Sequence, residues 1–292
     1  MTGRALSETC DPPVLWIRAG HAGYLGPTPD LDAHSTSIAC LAVGVDAPFV
    51  FHAAECGEVV TRSAFAPARW VHRLFATEGR TLYLFIDSAQ GARRPSVMRK
   101  MVGPYGFTHR TEAELIAACA DQPLDLDHIS NLAGIPIIEP IDPRIVQAAR
   151  MLRTDPGHGA GARDMAARFE LSPSHFQHLF TQHTGTSFRR YRQWARMLYV
   201  AKGYTAGHDL TRCAVDAGFA TLSHFSETFH RMFGLSATSL LATGLRLDVL
   251  DGRAGVAGHP FDGTPYAAGT VLRDCRGGRH PAMSFGTHHR LT

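Results

Sequence analysis

The run Ser174-His175-Phe176-x-x-x-Phe180-x-x-x-x-Gly185 returns 49 residues later as Ser223-His224-Phe225-x-x-x-Phe229-x-x-x-x-Gly234. Matched serine, histidine, phenylalanine and glycine positions at fixed spacing point to one structural unit built twice; the bland alternative is two unrelated amphipathic helix pairs. Small residues precede each copy, Met165-Ala166-Ala167 and Cys213-Ala214-Val215, and a turn intervenes at Phe169–Leu171 and at Gly218–Ala220. Such a pattern predicts a short helix, a tight turn and a second helix, with small residues letting the two helices cross closely. Ser172-Pro173 predicts a helix start, serine capping and proline at the first helical position. Phe176, Leu179 and Phe180 share one face and are expected to bury, as are Phe225 and Phe229. Between the copies Trp194, Met197, Leu198 and Ala201 predict a connecting helix, with Arg189, Arg190, Arg192 and Arg196 on or near its apolar face. Those arginines suit phosphate contact or a solvated charged face equally well.

Charge is divided along the chain. The whole carries +3, but residues 1–142 carry −5, residues 143–245 carry +6 and the remainder +2. An acidic half joined to a basic half is expected where one part alone must approach phosphates. The 45% hydrophobic and 19% charged composition excludes a disordered chain. The most apolar stretch, residues 37–54, is broken by Asp46, Pro48 and His52, short of the roughly 18 apolar residues a membrane span needs. Glu8 and Asp11 open the chain without an apolar run, so no secretory leader is expected. Six scattered cysteines without a C-x-x-C pair argue for reduced thiols and a cytoplasmic protein.

Residues 30–87 read as β. Short aliphatic and aromatic runs at 37–43, 48–52, 59–65, 70–75 and 81–86 alternate with turn residues, which predicts an antiparallel sandwich or barrel. From Thr111 the period becomes helical, with Ala113, Ile116, Ala117 and Ala120 expected on one apolar face available for pairing with a second copy or for packing on the chain's own strands. After Leu250 large aliphatics thin out, and a disordered tail is expected over 246–292.

On these residues the segment 143–245 resembles the DNA-binding domain of the AraC/XylS family of bacterial transcription regulators. The matching text is Met165-Ala166 with Leu171-Ser172-Pro173, then Ala217-Gly218-Phe219, Phe225, Phe229 and Phe233-Gly234-Leu235-Ser236. Ala237 stands where the family usually has proline, and Glu227 where a basic residue is common. Ala33-His34 before Leu41-Ala42-Val43, and Pro67–His72 before Leu74, resemble the family's cupin-like sensing barrel. The resemblance implies an α+β chain: a cupin-like domain over 1–110 with its barrel about 30–90, a helical dimerisation segment over 111–142, and an all-α domain over 143–245. That last domain would hold two helix-turn-helix units, about 162–184 and 211–233, joined by a linker helix.

Carried over by position, the base-facing residues are Ser174, Gln177 and His178 in the first unit and Leu222, Ser223, Ser226 and Glu227 in the second. They also lie opposite the phenylalanine faces. Gln177 can pair with adenine and Glu227 can accept from cytosine N4. His175, His224 and Gln182 are further candidates for DNA contact, and Arg190 for phosphate. The implied partners are double-stranded DNA, a small-molecule effector, a second copy of the chain and, for an activator, RNA polymerase. His34 and His72 are candidate effector contacts. The rival reading is a cupin-type metal enzyme fused to a helical domain. His34-x-Thr36, Glu55 and His72 fall one ligand short of such a site, so neither a metal nor a cofactor is expected.

Overall fold

The computed structural model describes residues 12–18, 21–76, 78–90, 97–121, 123–134, 141–157 and 161–249. The N-terminal part is β: β1 (Val14–Arg18), β2 (His21–Pro27), β3 (Ala39–Gly44), β4 (Phe49–Ala53), β5 (Gly57–Thr61), β6 (Ser63–Ala66), β7 (Arg73–Phe75), β8 (Arg80–Ile86), β9 (Met98–Val102) and β10 (Tyr105–His109). Helices follow: α1 (Glu112–Ala118), α2 (Leu126–Leu132), α3 (Pro143–Thr154), α4 (Ala162–Arg168), α5 (Pro173–Thr184), α6 (Phe188–Thr205), α7 (Leu210–Asp216), α8 (Leu222–Phe233) and α9 (Ala237–Leu241). A last strand, β11 (Arg246–Val249), closes the described chain. No described helix is long and apolar enough to cross a membrane.

The sheet domain is two layers, not the closed barrel expected. Eight strands pair in the order β11-β1-β2-β8-β3-β6-β10-β9, and β5-β4-β7 form a second sheet, extended by a bridge between His34 and His72. Among the described residues neither edge of the larger sheet, β11 or β9, pairs back to close a ring. Period-two alternation splits the larger sheet's side chains between two cores. Tyr24, Cys40, Ala42 and Tyr83 face Phe49, Phe51 and Leu74 of the smaller sheet. Trp16, Leu41, Leu82 and Leu84 face the opposite way, against Leu115 and Ala118 of α1, Cys119 that caps it, and Ile129 of α2.

Two expectations need correction here. Ala113, Ala117 and Ala120 are exposed, whereas Leu115, Ala118 and Cys119 are buried, so the face of α1 that packs is rotated from the one expected and lies on the chain's own sheet. Arg246–Val249, assigned by composition to a tail, pairs parallel with β1. The expectation for 250–292 lies outside the described residues.

The helical domain follows its sequence signals closely. Ser172 caps α5, its side chain accepting from the His175 N–H at 3.3 Å, with Pro173 in the first turn. Phe176 and Phe180 are fully buried and Leu179 half-buried; Phe225 is buried and Phe229 half-buried. They share a core with Trp194, Met197 and Tyr191 of the linker helix α6.

Candidate functional site

The turn of each helix pair is built alike. After α4 the chain reverses at Glu170 (φ 55), where the Glu170 N–H donates to the Ala167 carbonyl and the Leu171 N–H to that of Ala166. After α7 it reverses at Gly218 (φ 87), with N–H groups of Gly218 and Phe219 donating to the carbonyls of Val215 and Ala214. Both are left-handed helix ends that satisfy otherwise orphaned carbonyls. The second turn is one residue longer before its cap, Thr221, whose side chain accepts from the His224 N–H at 3.1 Å. Each longer helix then ends on a left-handed glycine, Gly185 (φ 71) and Gly234 (φ 75).

The outward faces of α5 and α8 carry most of the residues singled out from the sequence. Ser174, His175, Gln177, His178 and Gln182 of α5 are exposed, as are Ser223 and Glu227 of α8. Ser226 is half-buried. Leu222 is half-buried against the hydrophobic core, which places it inward rather than on the expected face. The two histidines of the repeat diverge. His175 is exposed, while the His224 ring lies edge-on to Phe219 and its Nδ1 accepts from the Ala220 N–H at 3.4 Å, holding the turn.

Arg190, a candidate for phosphate contact, is half-buried and bonded within the chain. Its Nη2 donates to the Ser35 carbonyl and the Ser35 Oγ, both at 2.8 Å, and burial lowers its pKa, with Arg69 and Arg231 adding to the effect. Arg192 donates to the carbonyls of Pro156 and Gly157, and Arg196 lies over the Phe219 ring. Of the four linker-helix arginines, Arg189 is the exposed one.

Further contacts join the helices to the sheets. The Asp32 N–H donates to the Gly234 carbonyl at 2.9 Å, and the Ser35 N–H to that of Arg231 at 3.4 Å. His230 Nε2 lies 3.0 Å from Asp32 Oδ2. At the first unit, the buried Asp87 accepts from the Tyr191 hydroxyl at 2.7 Å and from Arg153 at 3.1 Å. Burial raises the Asp87 pKa against the pull of Arg153 and Tyr191.

Between the two sheets and the helices lies an open cavity of about 1000 Å³, adjoining solvent included. Its sheet side includes Phe51, Tyr83 and Phe85; its helical side includes Trp194 and Met197 of α6 with Phe229 and Phe233 of α8. His34 and His72 both line it, their rings 4.6 Å apart. Burial lowers the pKa of both, His72 to about 4. Sequence reasoning named the two histidines but missed the cavity, because its walls come from segments as far apart as residues 15 and 240. Glu55 is tied to the Tyr105 hydroxyl at 3.2 Å, and among the described residues no three His, Cys, Asp or Glu side chains gather as a metal site.

A helix-turn-helix domain model matches residues 165–243, spanning both helix pairs. None of the curated proteins matches the chain. Among solved structures, ToxT from Vibrio cholerae O395 is similar in fold, with a TM-score of 0.52 at 12% identity, over 77% of this chain and 98% of that one. Unsaturated fatty acid bound wild-type ToxT from Vibrio cholerae strain SCE256 matches with a TM-score of 0.52 at 11% identity, over 77% and 95%. ToxT from Vibrio cholerae O395 bound to (E)-4-(8-methylnaphthalen-1-yl)but-3-enoic acid matches with 0.50 at 10%, over 77% and 99%. Fold and repeat agree: residues 165–243 are a helix-turn-helix region, in a chain whose fold is similar to that of ToxT.

Proposed function

We propose that this chain is a transcription regulator of the AraC/XylS family, which reads DNA with α5 and α8 together and answers an effector held in the cavity between its sheets and its helices. One observation carries the reading. The helix that presents Ser223 and Glu227 outward, α8, also presents Phe229 and Phe233 to the cavity. A molecule occupying that cavity touches both the sheet domain and a reading helix, so its binding free energy can bias how the two fit together. The fatty acid and the naphthalenyl acid named with the ToxT structures are largely apolar, as this cavity is.

In this reading the two-sheet domain over 1–110 is an opened form of the cupin-like sensor, 111–142 supports it, and 143–245 binds DNA. A second copy of the chain is a partner, with the exposed Ala113, Ala117 and Ala120 as the available face of α1, and sedimentation of the full chain tests this. RNA polymerase joins the partners if the protein activates. For the cavity itself, the test is Ala201→Phe, which fills space on the wall supplied by α6 without touching an exposed residue of α5 or α8. On a DNA site found by genome-wide mapping, the variant should change affinity several-fold at an unaltered salt slope. Unchanged affinity in a folded variant would remove the coupling.

A further inference from the structure

Among the described residues the cavity wall holds no lysine, arginine, aspartate or glutamate. A carboxylate entering it would lose its water without gaining a cation. The polar groups that are present have defined roles. His34 Nδ1 lies 2.9 Å from the Asp32 carbonyl, and His72 Nδ1 lies 3.0 Å from the Trp70 carbonyl. A carbonyl only accepts, so each Nδ1 carries the ring proton, and each neutral imidazole keeps its Nε2 as a bare acceptor. The bridge between His34 and His72 sets these two rings side by side on the cavity wall. A hydroxyl can donate to such a nitrogen. A carboxylate can only oppose it, lone pair against lone pair.

We infer that the effector is an uncharged, lipophilic molecule bearing a hydroxyl group, which donates to the His34–His72 pair, and that carboxylates are selected against. Burial keeps both imidazoles neutral near pH 7, which preserves the acceptor pair. This rests on the cavity being the effector site. Phe51, Phe85, Phe229 and Phe233 make the wall aromatic, so an aromatic skeleton is the suitable probe.

The experiment is calorimetric binding of 2-naphthol, 2-naphthoate and naphthalene to the full chain at neutral pH. 2-Naphthol should bind about ten-fold or more tightly than 2-naphthoate, a difference of about 1.4 kcal/mol, and more tightly than naphthalene. His72→Phe, which retains an aromatic ring against Phe51, should erase the advantage of 2-naphthol over naphthalene. Equal or tighter binding of 2-naphthoate overturns the selectivity and leaves the cavity as the effector site. Failure of all three probes to bind the folded chain overturns the cavity reading and this inference with it.

Discussion

Arg190 of the linker helix grips Ser35 of the sheet domain through two hydrogen bonds of 2.8 Å, from Nη2 to the carbonyl and to Oγ. A guanidinium so engaged is a fastener between the two parts of the chain. Arg190→Ala should therefore cost about 1.5–3 kcal/mol of stability, the range for hydrogen bonds to a charged group. The salt slope of DNA binding should not change, whereas a phosphate contact would lower it by about one. Denaturant melts and gel shifts across a salt series separate the two.

The same seam distinguishes the two glycines of the repeat. Gly185 and Gly234 both end a helix in the left-handed region, but a Cβ on Gly185 meets nothing within 4 Å. On Gly234 it would stand 2.6 Å from the Asp32 carbonyl oxygen and 2.8 Å from His34 Nδ1. Gly185→Ala should cost about 1 kcal/mol, the left-handed penalty alone. Gly234→Ala should cost clearly more and should alter ligand binding in the cavity, because His34 would have to move. Equal melting temperatures for the two variants would show that the seam is not packed as described.

Much of the helical domain was legible because its signals are local. Ser172-Pro173 names a helix start, and the i, i+3, i+4 phenylalanines name a buried face, without reference to anything distant. The sheet domain was legible only where strands are rich in branched and aromatic residues. In β2, Gly23 and Gly26 hide the strand pattern, yet Gly23 is required there: a Cβ would fall 2.1 Å from the Trp16 ring of β1. The strand β9, Met-Arg-Lys-Met-Val, is masked by its charges, which suit an exposed edge. α1 was placed on the wrong face because alanines fit either side of a short helix. The cavity and the Arg190 contact depend on pairs such as Ser35 and Arg190, 155 residues apart, which no periodicity reports.

Acid should loosen the seam. His72 is held neutral by burial, with a folded pKa of about 4 against an ordinary value of 6.5, and burial lowers His34 in the same direction. As pH falls below 6.5 the unfolded chain takes up protons that the folded one refuses, so stability is retained above 6.5 and declines towards pH 4. His72 alone accounts for about 3 kcal/mol across that window. Denaturation midpoints measured from pH 7 to pH 4.5 should fall, and His72→Phe should flatten the decline. An unchanged slope in that variant would contradict the assignment.

On the proposed DNA face, Gln177 and Glu227 make opposite predictions. Gln177→Ala should cost about 1–3 kcal/mol at one base position and leave non-specific binding nearly intact. Glu227, exposed on α8, meets repulsion from phosphates unless a cytosine amine donates to it. A base-selective loss in Glu227→Ala means that α8 reads sequence; uniformly tighter binding means that α8 anchors and α5 specifies. Affinities for a set of single-base variants of a mapped site decide between them.

The measurement that bears most directly on the whole account is a footprint of the full chain on a genome-mapped DNA site, with affinity followed across a salt series. If α5 and α8 read DNA as proposed, the chain should protect two major-groove segments on one face of the duplex, about one turn or roughly 10 base pairs apart. Affinity should fall steeply as salt rises, through release of phosphate counterions. A folded chain that fails to bind duplex DNA at low salt, or that protects a single segment, would contradict it.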